Sequence, residues 1–207
     1  MAQKSVHREA RRRTSGKATV RARNEVRIIG GRWRGRRVAF APVEDLRPSP
    51  DRVRETLFNW LRNDVAGSRC LDLFAGSGVL GIEALSRGAA RATFVERDAR
   101  AAEALRSSLD RLEAAGADVR GEDALHYLRG VPSVYDIVFL DPPFAAGLLP
   151  EVCRLLAERG WLAPAALVYL EQPARLALGD LPAGWEVLKS KRAGEVGYHL
   201  ARSSPCS

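Results

Sequence analysis

Between Arg69 and Ala201, short apolar runs alternate with longer stretches whose apolar residues recur every three or four positions, the periods of strand and helix. Cys70–Ala75 predicts a buried strand and Val79–Arg87 a helix. Ala92–Val95 predicts a second strand, and Ala99–Ala115 a helix with Ala102, Leu105, Leu109 and Leu112 on one face. Asp118–Gly121 forms a weaker strand pattern and Asp136–Leu140 a strong one, followed by a helix near Leu148–Arg159 and a strand at Leu167–Leu170. Trp185–Ser190 and Val196–Ala201 close the sequence as a hairpin around Ala193-Gly194. Strands separated by helices predict an α/β fold with a parallel sheet covered on both faces. The final hairpin adds an antiparallel edge to what becomes a seven-stranded, mostly parallel sheet.

Upstream, Val26–Val38 places two short β-like runs around a Gly/Arg turn, a hairpin signature. Its turn gathers Arg32, Arg34, Arg36 and Arg37 around Trp33. Pro48 and Pro50 lead into Asp51–Leu61, where Val53, Leu57, Trp60 and Leu61 fall on one helical face and Ser49 or Asp51 can cap the start. Residues 1–24 are short of large apolar residues and are expected to be disordered when free. Three segments result: a basic tail (1–24), an Arg-rich hairpin and helix facing a partner (25–64), and the main α/β domain (65–207).

Charge sharpens this division. The chain of 207 residues carries a net +8. Residues 1–24 hold eight Lys/Arg against Glu9 alone, and residues 25–54 eight Arg against four acids. From Glu55 onward acids outnumber bases, so the positive charge sits in the first quarter, as a polyanionic partner would require. The longest stretch without a charged residue is Gly160–Leu170, eleven residues. A bilayer span needs about 20 apolar residues, so no transmembrane helix is expected. Nor do the N-terminal charges precede the apolar run of a secretory signal. Cys70, Cys153 and Cys206 are odd in number and far apart, which fits reduced thiols in a cytoplasmic protein and neither a disulfide nor a metal site.

In an open α/β sheet, ligands bind beyond the carboxyl ends of the strands. After the first strand come Asp72 and the loop Phe74-Ala75-Gly76-Ser77-Gly78; after the second, Glu96; after the third, Asp123; after the fourth, Asp141-Pro142-Pro143-Phe144. Gly76, Gly78 and Gly81 with Glu96 also match a dinucleotide-binding fingerprint. Asp72, however, would set its charge against a diphosphate, and Asp-Pro-Pro-Phe has no task in hydride transfer. A carboxylate at Asp72 is better matched to an ammonium group.

Together these residues resemble the class I S-adenosylmethionine-dependent methyltransferases that act on amino groups, with their Rossmann-like fold. The segment Arg47–Leu61, with the hairpin ahead of it, is more closely similar to the bacterial 16S ribosomal RNA guanine-N2 methyltransferases of the RsmD type. The resemblance runs from about Val26 to about Ala201; Ser49 stands where that family usually has Thr. It implies S-adenosyl-L-methionine as cofactor, no metal, and a monomer acting on 16S ribosomal RNA within an assembling small subunit. By the family's pattern Glu96 would accept the ribose hydroxyls and Arg97 would pack beside the adenine, which Asp123 and the Ala124 amide would read. Asp72 would hold the methionyl ammonium, and Phe74, Ala75, Gly76, Ser77 and Gly78 would line the methionine end.

Asp141 and the Pro142 carbonyl would accept the hydrogens of an exocyclic amine whose lone pair is delocalised into its ring, and Phe144 would stack on the extruded base. Arg32, Trp33, Arg34, Arg36 and Arg37 suit an RNA backbone with one stacking contact. Arg47, Ser49 and Arg54 would close over the cofactor or an RNA phosphate, unless Arg54 is a surface ion pair. The tetrapeptide reports an amino target without naming it, so DNA adenine-N6 and protein glutamine-N5 methylation stay open. A nicotinamide oxidoreductase and a non-enzymatic RNA-binding protein are the readings from other classes.

Overall fold

The computed structural model describes residues 24–41, 49–144 and 147–204. The tail (1–23) and the stretch containing Arg47 and Pro48 lie outside the described residues. Strands β1 (Glu25–Arg27) and β2 (Arg37–Ala39) pair antiparallel with Val26 opposite Val38, and a 3-10 turn (Gly31–Trp33) fills the expected hairpin bend.

Helix α1 (Asp51–Trp60) buries Val53, Leu57 and Phe58, with Leu61 just beyond it. Neither expected cap forms: Pro50 is the N-cap residue, and no side chain caps the helix. Asp51 instead sits in the first turn, where a negative charge complements the helix dipole. Its carboxylate pairs with Arg27 and Arg54.

The remaining elements are β3 (Arg69–Asp72), α2 (Val79–Ser86), β4 (Arg91–Val95), α3 (Ala99–Leu112), β5 (Ala117–Arg120), α4 (Ala124–Arg129), β6 (Tyr135–Leu140), α5 (Leu149–Glu158), β7 (Leu162–Pro173), β8 (Glu186–Ala193) and β9 (Val196–Arg202). Seven strands form one sheet in the order β5-β4-β3-β6-β7-β9-β8. The first five are parallel, while β9 runs antiparallel to both β7 and β8, as the sequence pattern predicts.

Alternation along β6 shows why this sheet is buried on both faces: Ile137 and Phe139 enter one core layer, Val138 and Leu140 the other. The first layer also holds Ile28, Val38, Val53 and Phe58, so the hairpin and α1 share the core of the sheet. Two boundaries differ from the periodicity. Helix α3 stops at Leu112 because Glu113 turns left-handed (φ 52°) and the Ala114 N–H bonds the Leu109 carbonyl. Strand β7 runs through Pro173, well past its apolar stretch, because β9 pairs with it as far as Pro173 opposite Val196.

Strand order reverses between β3 and β6, adjacent strands whose connections leave in opposite directions. That switch opens a crevice at their carboxyl ends. Asp72 ends β3 and Asp141 follows β6, so the topology brings both to this crevice.

Candidate active site

The turn after β3 depends on its glycines. Gly76 (φ 53°) and Gly78 (φ 71°) adopt left-handed conformations that cost a side chain-bearing residue energy. A Cβ on Gly78 would also stand 2.3 Å from Leu105 Cδ1, and one on Gly81 2.3 Å from the Phe94 ring. Glycine there lets α2 start close to the sheet. Ala75 and Ser77 are buried and Phe74 half-buried.

Glu96 is pinned by both oxygens. Oε2 accepts the Gly76 N–H at 2.8 Å and Oε1 the Asp98 N–H at 2.7 Å. An ionised carboxylate has about four acceptor positions, so two remain for a ligand's hydroxyls. Arg97 beside it is exposed, and Ala124 is buried. Asp123 caps α4 through Oδ1, which accepts the N–H groups of Leu125 and His126.

The acidic end of the crevice is more crowded than the sequence indicates. Asp72, 2% exposed, accepts the Gly81 N–H at 3.0 Å; burial first, and the Glu96 charge after it, push its carboxyl up to about 7. Asp141 is half-buried at the exit of β6. Its Oδ2 lies 3.2 Å from the Ser49 hydroxyl, which also lies 3.1 Å from Glu171 Oε1. Tyr169 donates to that same Oε1 at 2.7 Å. Burial raises both Asp141 and Glu171 above the usual carboxylate range, and the charges of Glu171 and Asp72 push Asp141 further.

Beyond this cluster, Pro142, Pro143 and Phe144 line a cavity of about 270 Å³ together with Leu148, Leu170 and Leu176. Phe144 is 42% exposed, unusual for so large an apolar side chain.

Two expected RNA contacts are corrected. Arg54 is fully buried, and its guanidinium is spent on Glu83 at 2.9 Å, Asp51, and the carbonyls of Arg27 and Ser49. It is an internal strut, neither a surface ion pair nor a phosphate ligand. Trp33 is 5% exposed, and its backbone N–H donates to Ser86 Oγ. The Arg32 guanidinium lies 4.1 Å from the Trp33 ring centroid, so the ring packs inward with a cation over it. Arg32, Arg34, Arg36 and Arg37 are exposed.

Glu171 and Tyr169 escaped the sequence reading, and Ser49 entered it as a helix cap and as a residue closing over cofactor or phosphate, not as a partner of Asp141. The signal available was positional: Glu171 follows the apolar run Leu167–Leu170, as Asp141 follows its own strand. Arg54 also had a signal, since residues three and four apart on a helix share a face and Leu57 and Phe58 are buried.

The site fits S-adenosylmethionine on its own geometry. A side chain-free turn approaches the crevice, Glu96 is fixed with acceptors to spare, and buried carboxylates offer negative charge to a cation. The comparisons bear this out at the level of family. A family described as conserved hypothetical protein 95 matches residues 26–202. The chain belongs to this family. The ribosomal RNA small subunit methyltransferase D of Escherichia coli strain K12 is 47% identical over 176 residues, covering 85% of this chain and 89% of that protein. A solved Escherichia coli structure, described as a candidate methyltransferase, superposes with a TM-score of 0.82 at 46% identity, covering 88% and 99% of the two chains. At 18% identity and a TM-score of 0.60, covering 78% and 96%, an RNA methyltransferase from Salinibacter ruber bound to S-adenosyl-L-homocysteine shares the fold. Members of conserved hypothetical protein 95 are thus the frame for the residues above.

Proposed function

We propose that this chain transfers a methyl group from S-adenosylmethionine to the exocyclic N2 of a guanine in small-subunit ribosomal RNA. The observation that carries it is Asp141-Pro142-Pro143-Phe144 leaving β6 at the switch point, beside Asp72 and the glycine turn. Methyltransferase activity on small-subunit ribosomal RNA is the function named for the relatives that match most of the chain. The amino target is inferred from the Asp141–Phe144 turn, and the guanine and its N2 atom from the resemblance carried by Arg47–Leu61 and the hairpin ahead of it.

When bound, S-adenosylmethionine supplies a methyl group on a positively charged sulfur. Each step belonging to the protein follows from its own residues. Glu96 offers two fixed oxygens to the ribose hydroxyls, and Asp72 answers the methionyl ammonium, directly or through water. The Asp141 carboxylate and the Pro142 carbonyl accept the two amine hydrogens, which draws the nitrogen lone pair out of conjugation and toward the methyl. Pro142 and Pro143 hold that turn with fixed φ, and Pro143 brings no N–H needing a partner. Phe144, exposed over an apolar cavity, supplies the face on which an extruded base stacks. Most of the acceleration comes from alignment of nitrogen, methyl and sulfur.

Mass mapping of ribosomal RNA from a strain lacking the protein tests this reading. One small-subunit guanine is expected to lose its N2 methyl and to regain it when the gene is restored. An unchanged guanine methylation pattern, or a missing methyl on adenine instead, would reject it.

A further inference from the structure

Ser49 Oγ stands between two acidic oxygens, Asp141 Oδ2 at 3.2 Å and Glu171 Oε1 at 3.1 Å. A hydroxyl has one proton and can donate to only one of them. The second contact requires a proton on the other carboxyl; otherwise bare lone pairs would face each other in a buried site, without a hydrogen bond to offset their desolvation. The groups around the pair supply no relief. Asp72 on β3 adds negative charge to Asp141, Tyr169 on β7 already donates to Glu171, and Tyr198 on β9 faces Tyr169. On the α1 side, Arg54 donates to the Ser49 carbonyl and spends its charge on Glu83 and Asp51. Glu171 itself is 3% exposed.

We propose that Glu171 is a positioning residue for methyl transfer: through Ser49 it shares one proton with Asp141, and the pair gives that proton to solvent when a sulfonium-bearing donor binds. The O–H bond of the shared carboxyl breaks, the proton passes to buffer, and Asp141 meets the amine as an anion. After transfer the methylated nitrogen carries a positive charge and an N–H proton to lose. Asp141 takes it, and the Asp141–Ser49–Glu171 group regains its starting proton beside a now neutral thioether. The one proton that the overall reaction liberates therefore leaves at donor binding. Both carboxyls shift upward, Glu171 through burial and Asp141 through burial and then the Glu171 charge, which agrees.

Calorimetry on the full chain at pH 7, in buffers of different ionisation enthalpy, counts the protons. S-adenosylmethionine is expected to release roughly one proton more than S-adenosylhomocysteine; what the two release in common belongs to Asp72, whose raised carboxyl meets the ammonium that both ligands carry. Equal counts for the two ligands in the wild-type protein would overturn the proposal. In Glu171→Gln, that difference between the two ligands is expected to vanish while S-adenosylhomocysteine still binds. The acid limb of kcat/KM should move to lower pH, because Asp141 no longer has a carboxyl to share its proton with. A variant that binds S-adenosylhomocysteine with release and acid limb unmoved would also overturn it. The proton counts involve no RNA, so a methyl found elsewhere than guanine N2 would leave them intact. Equal wild-type counts for the two ligands would leave the N2 assignment standing.

Discussion

At the scale of single residues, Asp141 and Arg54 show how position decides what a charge does. Asp141 leaves a strand end with a chemical task; Asp141→Asn keeps the shape but turns one acceptor oxygen into a donor. Turnover is expected to fall by about 10²–10⁴-fold, measured as methyl transfer to ribosomal RNA, with S-adenosylhomocysteine binding kept. Arg54 is buried against the equally buried Glu83, whose carboxyl burial pushes up and the Ile29 N–H, Arg54 and Arg87 pull back down. Arg54→Met takes the nearer and fully buried of two cations from that carboxylate, leaving Arg87 at 3.3 Å, and is expected to cost about 3 kcal/mol in denaturant unfolding. Replacing Arg54 and Glu83 together by Met and Leu should recover part of the loss. The motif residues were legible because each follows an apolar strand. Glu171 follows an apolar run too, but its strand continues past that run under pairing by β9, so it sits inside β7 and not in a loop beyond it.

At the scale of elements, the hairpin is fastened to α2 and α3 by polar bonds that its own sequence does not reveal. The Ile29 N–H donates to Glu83, and Ser86 Oγ accepts from Trp33 and donates to the Gly30 carbonyl. Arg36 reaches the Arg111 carbonyl, and Ser108 the Ala39 carbonyl. The alternating pattern predicted two strands and a turn but could not show that the turn tucks Trp33 under the arginines. Packing and charge therefore separate cleanly in experiment. Trp33→Ala is expected to cost about 3–5 kcal/mol of stability and to leave the salt dependence of RNA binding unchanged. Arg34→Ala or Arg37→Ala should leave stability within about 0.5 kcal/mol and reduce the slope of log K against log salt by about 1. Filter binding across a salt series, beside urea unfolding, checks both.

Across the whole molecule, the alternation of strand and helix yielded the sheet, its parallel body and its antiparallel edge. The reversal of strand order is what makes one site of residues as distant as Ser49, Asp72, Asp141 and Glu171. Concentrating carboxylates there costs stability until a cation answers them. Asp72 binds its proton more tightly folded, at about 7, than unfolded, at the ordinary carboxylate value. Its ionisation therefore weakens the fold progressively as pH rises from about 4 to about 7. Against Asp72→Asn, the wild-type protein should lose on the order of 3 kcal/mol between pH 5 and pH 8, read from thermal unfolding with calorimetric enthalpies. A flat difference would place Asp72 in a wetter setting.

The most direct measurement is in vitro methylation of small-subunit RNA from a strain lacking the protein, using S-adenosylmethionine with an isotopically labelled methyl group, followed by nucleoside mass spectrometry. The expected result is label in N2-methylguanosine alone, with Asp141→Asn giving under about a hundredth of the wild-type yield. Label on any other nucleoside, or full yield from Asp141→Asn, would contradict it.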